Sequence, residues 1–401
     1  MAIDSSVRWF HSQMFGSPQI QSPWSGTVVS ILDACLINGF NSTVATEIEV
    51  SGGVATATFA SAHNYEQYAV IHVQGVDGVM SGLNGDWRIK EVPNSVTLTF
   101  DATSIPSGNA LNVGISLATP GYWERPFYNA AAHTAAYRST HEDASGAYFR
   151  IEDNLSATNQ VRVRGYETMS DINTGIRPFP TFAQASETAF QWKRASTTLN
   201  SPRQWVLVAD HMFFWFFIYH ANITPIQATM YHFGDIVRFN PLDIFPCVIV
   251  GHNTTTTTGA LNAHSWMNIN IFNSSSTQGC YWARPMNNEA ENPPTYTILG
   301  NTKTTSPGAG ADFPHPATGG YMFHYPLMVA EPPTGINTIE RGFLPGGMQG
   351  LTDSLMTLEE DQWRLLHPSL AYPRGIMLIA TSVSTGTARS YFGVDIFGPW
   401  R

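Results

Sequence analysis

The feature that most constrains this chain is a series of short segments in which apolar and polar residues alternate. Residues 54–59, 69–76, 86–92 and 96–100 follow this period of two, and turn-forming pairs such as Asp77-Gly78 and Asn84-Gly85 separate them. Successive residues of a strand point to opposite faces, so such segments at roughly ten-residue spacing predict a small all-β barrel or sandwich, which we place at residues 44–118. Asn84-Gly85 is predicted to be a tight hairpin turn with a positive φ at Gly85.

The composition of the whole chain favours a mainly β protein. Charged residues make up 12% of the 401 residues and hydrophobic residues 43%, which is enough apolar material for a core. Lysine occurs only at positions 90, 193 and 303, whereas helix-rich chains use lysine and glutamate freely. The formal net charge is -10 and no basic run occurs, which argues against nucleic acid as a partner.

Residues 1–43 are predicted to form an N-terminal docking segment with one short helix. Helical spacing relates the apolar residues Val28, Leu32, Cys35 and Leu36. Gly39 follows where a helix C-terminal cap is expected. A second helix is predicted over residues 354–366, where acidic residues fall in the first turn.

Several classes of site have no sequence signal. The three cysteines, Cys35, Cys247 and Cys280, are too scattered for a disulfide framework or a zinc knuckle. The histidines form neither HxH nor HExxH, and GxSxG is missing, so we expect no metal, no cofactor and no catalytic triad. The first residues lack the basic and apolar regions of a signal peptide. The longest apolar stretch, 212–219, is far below the ~20 residues of a membrane-spanning helix, so no membrane insertion is expected.

A stretch of about 50 residues in the barrel segment resembles a known family. Its markers are Ala62-His63, an apolar strand at 70–76, Leu83-Asn84-Gly85, Trp87 and the alternating strand 96–100. This pattern resembles the small FCCH-like, RIFT-related β-barrel that is common in phage structural proteins. Where the family has Gly after the His, this chain has Asn64, which also tolerates a left-handed backbone. The resemblance implies a virion or tail protein and implies nothing about catalysis.

The remainder, residues 120–401, is predicted to be one large, mainly β, sandwich-like domain. The segment 147–175, with the run from Arg162 to Gly175, is similar to the large C-terminal domain of certain virion proteins of tailed phages. The ending, Phe392 to Trp400, is similar to theirs as well. Strand 212–219 carries aromatic residues at neighbouring positions, which predicts burial on both faces.

Acidic residues near 150–170 raise the question of a glycosidase carboxylate pair. Such a pair must face one cleft, whereas neighbours such as Glu152 and Asp153 point to opposite faces of a strand. Arg162 and Arg164 share one strand face, and we expect them to form structural salt bridges with Glu152 or Glu167 across a hairpin. A catalytic pair stays open as the lesser alternative.

Aromatic and arginine residues in proline-containing loops suggest protein–protein contacts, because Trp, Tyr and Arg dominate binding energies at interfaces. The candidate interface residues are Trp9, Phe10, Phe15, Trp123, Arg125, Trp282 and Arg284.

Taken together, the sequence predicts a structural component of a tailed phage particle, in the tail or baseplate, without catalytic activity. It would be made in the host bacterial cytoplasm and reside in the virion. Its predicted partners are copies of itself, as a trimer or hexamer, and other virion proteins. The alternatives are a receptor- or glycan-binding tail module with a host-surface glycan as partner, a capsid decoration or head-fibre protein, and a glycan-degrading tail enzyme.

Overall fold

The structure is a computed structural model of the whole chain. It describes residues 4–154, 160–195, 201–219, 228–253, 278–289, 293–295, 297–299, 311–312, 327–331, 339–353, 364–367, 374–383 and 389–401. The described part is mainly β, as the sequence predicts.

The N-terminal segment contains one strand and one helical stretch. Strand β1 spans Arg8–His11, and helix α1 spans Thr27–Leu32 and continues as a π-helical turn over Asp33–Asn38. The predicted helical stripe is buried, and Gly39 ends the helix with a φ of 69°. An added Cβ at Gly39 would lie 2.3 Å from the carbonyl oxygen of Leu117, so this position requires glycine.

Six strands in the fully described stretch 43–117 form a closed barrel in the order β2-β3-β6-β5-β4-β7. The strands are β2 Thr43–Ser51, β3 Val54–Phe59, β4 Val70–Gln74, β5 Gly85–Asn94, β6 Thr97–Asp101 and β7 Gly108–Leu117. Inward residues such as Ile48, Ala55 and Ala57 are fully buried, as the period of two predicts. Closure leaves this barrel without an unpaired strand edge.

The connection between β4 and β5 corrects one prediction. Asn84-Gly85 is not a two-residue hairpin, because a 3-10 turn over Gly78–Leu83 lies between the strands. The Asn84 side chain instead closes this longer loop, accepting from the Val76 N–H (2.9 Å) and donating to the Val76 carbonyl (2.6 Å). Gly85 does have a positive φ, 131°, where glycine is favoured.

Beyond the barrel, the chain is a succession of strands. In chain order they are β8 Trp123–Asn129, β9 Thr134–Ser139, β10 Tyr148–Glu152, β11 Gln160–Asp171, β12 Thr174–Phe179, β13 Phe190–Lys193, β14 Trp205–Ala209, β15 Phe213–Ile218, β16 Thr229–Asp235, β17 Val237–Arg238, β18 Cys247–Asn253, β19 Gln278–Trp282, β20 Thr297–Leu299, β21 Ala311–Asp312, β22 Leu327–Glu331, β23 Ile339–Leu344, β24 Gly347–Asp353, β25 Arg364–His367, β26 Arg374–Val383 and β27 Arg389–Asp395. The helix predicted over 354–366 falls partly outside the described residues, and its end at 364–366 belongs to strand β25.

Within the described residues, these strands form one large sheet and two smaller ones. The large sheet has the order β1-β14-β15-β16-β18-β13-β11-β10-β9-β8, with β12 paired to β11 and β19 paired to β18. The smaller sheets have the orders β17-β23-β22-β20 and β21-β24-β27-β26-β25. Strand β1 enters the large sheet by pairing antiparallel with β14, so the N-terminal segment docks on its own chain.

The large sheet curls until strands from its two ends face each other. Trp123 of β8 lies 5.5 Å from Phe214 of β15, and its indole donates to the Asp210 carbonyl at 2.9 Å. Phe149 of β10 lies 5.8 Å from the same Phe214 ring. The inner face of the curl is therefore an aromatic core shared by strands that are not neighbours in the sheet.

Strand β15 is buried on both faces, as its unbroken aromatic run predicts. Phe214 faces the inside of the curl. Trp215 points the other way and lies 5.0 Å from Phe392 of β27. The smaller sheet β21-β24-β27-β26-β25 therefore covers the outer face of β15. The Trp215 indole also donates to the Pro345 carbonyl at 2.7 Å.

A buried carboxylate joins helix α1 to the large sheet. Asp153 follows β10, is fully buried, and accepts the N–H groups of Val28 (2.7 Å) and Val29 (3.2 Å). The guanidinium of Arg194, also fully buried, donates to the other Asp153 oxygen. Asp153 thus satisfies helix N–H groups that have no partner within the helix.

We expect Asp153→Ala to lower the free energy of unfolding by about 3–5 kcal/mol, because it leaves the Arg194 charge buried without its counter-ion. Urea unfolding followed by tryptophan fluorescence measures this change. Asp77→Ala, at an exposed aspartate, is the matched control and should change stability by less than about 0.5 kcal/mol. Equal midpoints for the two variants would contradict the capping role.

The buried His232 predicts a specific pH dependence. Its ring lies 4.7 Å from Trp215 and 5.5 Å from Phe213, and burial lowers the pKa of His232 to about 3. Below pH ~6.5, the ordinary pKa of histidine, His232 takes up a proton in the unfolded chain but not in the folded one. The contribution of the neutral His232 ring to the free energy of unfolding is therefore complete above pH ~6.5 and is lost as the pH falls towards 3. In His232→Leu, the free energy of unfolding should fall less steeply between pH 6.5 and 4 than in the wild type. Met230→Ala is the control: it changes a buried residue on the same strand but removes no titrating group, so its unfolding free energy should fall with pH as steeply as that of the wild type.

Candidate functional site

The acidic residues that suggested a carboxylate pair are held by arginines. Glu152 faces Arg162 in the register of β10 and β11, and the two side chains lie 3.3 Å apart. Arg150 approaches the other Glu152 oxygen at 2.6 Å. Glu167 is paired as well, through a bidentate contact from Arg284 at 2.5 and 2.6 Å. Glu152 and Glu167 therefore lie in ion pairs, one of which is the predicted Arg162–Glu152 pair.

Arg164 does not form the predicted salt bridge with Glu152 or Glu167. Its guanidinium donates to the carbonyls of Pro180, Ala185 and Ser186, and it forms no ion pair with a carboxylate among the residues that the structure describes. Burial lowers the pKa of Arg164. The correction has a physical reason: the irregular segment 180–186 exposes carbonyl groups that need donors, and a guanidinium supplies several.

The predicted interface tryptophans and Phe10 are buried inside the chain, which corrects their assignment. Trp9 and Phe10 lie in β1, where Trp9 donates to the Tyr68 carbonyl of the barrel at 3.1 Å. Trp123 closes the curl of the large sheet, as described above. Trp282 is fully buried beneath the Arg341 guanidinium, 3.9 Å away. Their surfaces are already covered by the same chain.

The predicted interface arginines also bind within the chain. Arg125 pairs with Asp33 of the π-helical turn and stacks on Tyr128 at 3.9 Å. Arg284 stacks on Phe245 at 3.7 Å in addition to its pairing with Glu167. Of the predicted interface set, Phe15 alone has its side chain mostly in solvent, with 61% exposure.

A larger exposed apolar surface lies in a loop that the sequence analysis did not select. Residues 239–245, here called the 239–245 loop, connect β17 to the segment before β18. Leu242 is 75% exposed, Ile244 55% and Phe239 45%. Large apolar side chains clustered at one loop mark an interaction surface more often than scattered ones do.

The loop is fixed from inside by a buried ion pair. Arg341 of β23 binds Asp243 through two hydrogen bonds, at 2.9 and 2.8 Å, and both side chains are almost completely buried. Arg341 also donates to the carbonyl of Phe245 at 3.2 Å. Asp243 therefore points inwards while its neighbours Leu242 and Ile244 point outwards.

Residues predicted as interface contacts form the support behind this loop. Arg284 covers the Phe245 ring, and the amide of Asn288 donates to the Leu242 carbonyl at 3.3 Å. Trp282 lies under the Arg341 guanidinium that holds Asp243. The loop is thus attached to β19 and β23 at both its backbone and its inward side chains.

A sequence signal for the loop exists, although it is weak. Pro241 and Pro246 enclose the run Leu-Asp-Ile-Phe, in which one acidic residue interrupts apolar ones. Such a run between prolines reads as a short turn whose apolar residues cannot all be buried. Its partner, Arg341, lies about a hundred positions later and carries no local signal.

Two searches of the described residues concern other kinds of site. No group of three or more His, Cys, Asp or Glu side chains in the described ranges is placed to hold a metal ion. Within the same part of the chain, no helix is long and apolar enough to cross a membrane.

Comparisons with known proteins assign this chain to no family. No protein-family model matches the sequence, and no curated protein matches it. Among solved structures, the phage phi92 endosialidase aligns over 87% of this chain and 70% of its own, with 11% sequence identity and a TM-score of 0.17. A score of this size carries no argument about fold or function.

One prediction is nevertheless corrected by this comparison. The sequence predicted a chain without catalytic activity, whereas the aligned solved structure is by its name an enzyme. The exclusion of catalysis is therefore withdrawn, since nothing in the comparisons confirms or excludes an activity of this chain.

The Asp243–Arg341 pair predicts how the loop responds to mutation. Asp243→Asn removes the nearer of the two carboxylates that balance the buried Arg341 guanidinium and leaves only Glu331, 3.4 Å away, so we expect it to lower the free energy of unfolding by about 3 kcal/mol. It should also speed cleavage within 239–245 by limited proteolysis under native conditions. Arg238→Met, which loses one hydrogen bond from a half-buried side chain to the Asp243 carbonyl, is the control and should cost about 1 kcal/mol. Cleavage at wild-type rate in Asp243→Asn would contradict the proposed support of the loop.

Proposed function

We propose that this chain is a structural component of a tailed phage particle, in the tail or baseplate, and that it acts through subunit contacts made by the 239–245 loop. The observation that carries the proposal is the exposure of Leu242 and Ile244 on a loop fixed by a fully buried ion pair. A rigid loop loses little conformational entropy when a partner covers it, so its apolar surface contributes more fully to binding.

The barrel supports the same proposal. The motif that resembles the FCCH-like, RIFT-related barrel of phage structural proteins lies at Ala62–Phe100, inside the closed six-stranded barrel. We propose that the barrel belongs to that group. Its closed circuit leaves the backbone of these strands paired, so contacts with other subunits are left to side chains and loops.

The proposed partners are copies of this chain, as a trimer or hexamer, and other virion proteins, with the virion as the site of action. Symmetric assemblies repeat each contact in every subunit, so a small apolar patch is used many times. Phe239, the first residue of the loop, extends the apolar patch, and its ring packs 4.6 Å from the ring of Phe343 in β23.

The proposal is tested by the double variant Leu242→Asp, Ile244→Asp in the full chain. We expect the wild type to form a trimer or hexamer by light scattering at tens of micromolar, or to bind purified tail proteins of the same phage. The variant should lose this association, because two carboxylates would have to be desolvated in the contact. Its melting temperature should stay close to that of the wild type, since both side chains are mainly in solvent.

Val79→Asp with Leu111→Asp is the matched control, because these exposed apolar residues of the barrel region lie outside the loop. The control should associate as the wild type does. A monomeric wild type that binds no tail protein would overturn the proposal, and so would a double loop variant that associates normally.

A further inference from the structure

A cleft of about 450 Å³ lies beside the base of the 239–245 loop. The turn between β14 and β15 contributes His211, the end of β16 contributes Asp235, and β17 contributes Arg238. Asp143, from the loop between β9 and β10, also lines the cleft. The volume falls within the roughly 300–1,000 Å³ of small-molecule sites.

A cluster of three rings adjoins this cleft through His211, which is the member of the cluster that lines the cleft wall. The imidazoles of His141 and His211 have their centroids 4.2 Å apart, and the Tyr122 ring lies 4.8 Å from His141 and 6.0 Å from His211. Tyr122 is 58% exposed, so the outer face of this ring cluster is open to solvent. Its backbone has a φ of 58°, in the left-handed region that a bulky residue adopts at a cost.

Some charges near the cleft are already satisfied and do not serve a ligand. Arg401 binds the Asp210 carboxylate at 2.7 Å and the Asp235 carbonyl at 2.9 Å. Asp235 accepts both the backbone N–H and the hydroxyl of Ser145, at 2.5 and 2.7 Å. Of these groups, Asp235 and Arg401 line the cleft.

Other polar groups keep bonding capacity towards the opening. Two-thirds of the Asp143 side chain is in solvent, and its carboxylate lies 3.9 Å from the His141 Nδ1 atom. His141 Nδ1 accepts the Asp143 N–H at 3.2 Å, which holds the two residues together. Arg238 uses one guanidinium nitrogen on the Asp243 carbonyl at 3.0 Å, and its other N–H groups remain available as donors. Burial lowers the pKa of His211, so its ring is neutral at pH 7 and adds no positive charge.

We propose that this cleft and the Tyr122 ring that adjoins it at His211 together bind a neutral saccharide unit of a glycan, with Tyr122 as the stacking surface and Asp143 and Arg238 as the polar contacts. A sugar hydroxyl both donates and accepts hydrogen bonds, which suits a site that holds one carboxylate acceptor and several N–H donors. The C–H face of a pyranose is apolar and fits an exposed aromatic ring with polar neighbours.

The charge distribution distinguishes this ligand from an anion. Asp143 and Arg238 bring one negative and one positive charge to the lining, and the nearby Arg401 charge is compensated by Asp210, so the cleft has no net positive charge to hold a phosphate or uronate. A neutral polyhydroxylated ligand needs no such charge. The inference goes beyond the structural role proposed for the loop and does not depend on it.

The test uses saturation-transfer NMR on the full chain with methyl glycosides of glucose, galactose, mannose and N-acetylglucosamine. Methyl glucuronide and inorganic phosphate are the anionic probes. We expect at least one neutral glycoside to bind saturably, with no competition from the anions. Tyr122→Gly, which removes the ring and suits the positive φ, and Asp143→Asn should each weaken binding roughly tenfold.

Tyr128→Ala is the matched control, because Tyr128 is a partly exposed tyrosine held under Arg125 away from the cleft, and it should bind as the wild type does. Asp143 is exposed, so Asp143→Asn reports on the site even if Tyr122→Gly folds poorly. Failure of every neutral glycoside to bind overturns the proposal. Unchanged affinity in Asp143→Asn also overturns it. A third contrary result would be that only the anionic probes bind and that Arg238→Gln abolishes their binding. If the Leu242→Asp, Ile244→Asp variant loses self-association but still binds the glycoside, the cleft binds sugar independently of the subunit contacts proposed for the loop.

Discussion

The architecture depends on strand β15, whose two faces are both apolar. A strand of this kind cannot lie at a surface, because each face would expose aromatic rings to water. The chain covers one face by curling the large sheet until Trp123 and Phe149 reach Phe214. It covers the other with the sheet that carries Phe392. The curl and the C-terminal sheet are two consequences of one sequence segment.

Besides forming ion pairs, arginine in this chain satisfies backbone carbonyl groups. Arg88 of the barrel donates to carbonyls of Asp4, Tyr68 and Val7, at 2.6 to 2.9 Å, and to that of Phe397 at 3.3 Å. Arg164 binds three carbonyls and Arg341 two. A planar guanidinium with five N–H groups satisfies carbonyls in irregular segments that no strand can pair. An arginine beside aromatic residues therefore joins parts of one subunit here, a pattern that the sequence alone cannot distinguish from an intermolecular contact.

Local patterns predicted the parts of the fold that are set by local physics. The period of two located the barrel strands, the helical stripe located α1, and the aromatic run identified a doubly buried strand. What covers each buried face depends on contacts between distant residues. Glu167 was expected to pair across a hairpin, and its bidentate partner Arg284 lies 117 positions away. The rings of Tyr122, His141 and His211 come together through the curl of the large sheet, so no spacing in the sequence marks them. Arg341, which fixes the loop around Leu242, lies about a hundred positions beyond it.

The pairing of β1 with β14 has a consequence for the order of events during synthesis. Arg8 pairs with Ala209, so β1 is made about two hundred residues before its partner, which corresponds to roughly 10–40 seconds at bacterial elongation rates. During this interval the barrel, whose strands all lie within 43–117, has every partner it needs and can close. Trp9 can already bond to the Tyr68 carbonyl of the closed barrel, whereas the backbone of β1 lacks its β14 partner and the Phe397 carbonyl reaches Arg88 later still. During synthesis, β1 is therefore an unpaired strand edge held beside a completed barrel, open to other strands until β14 is made.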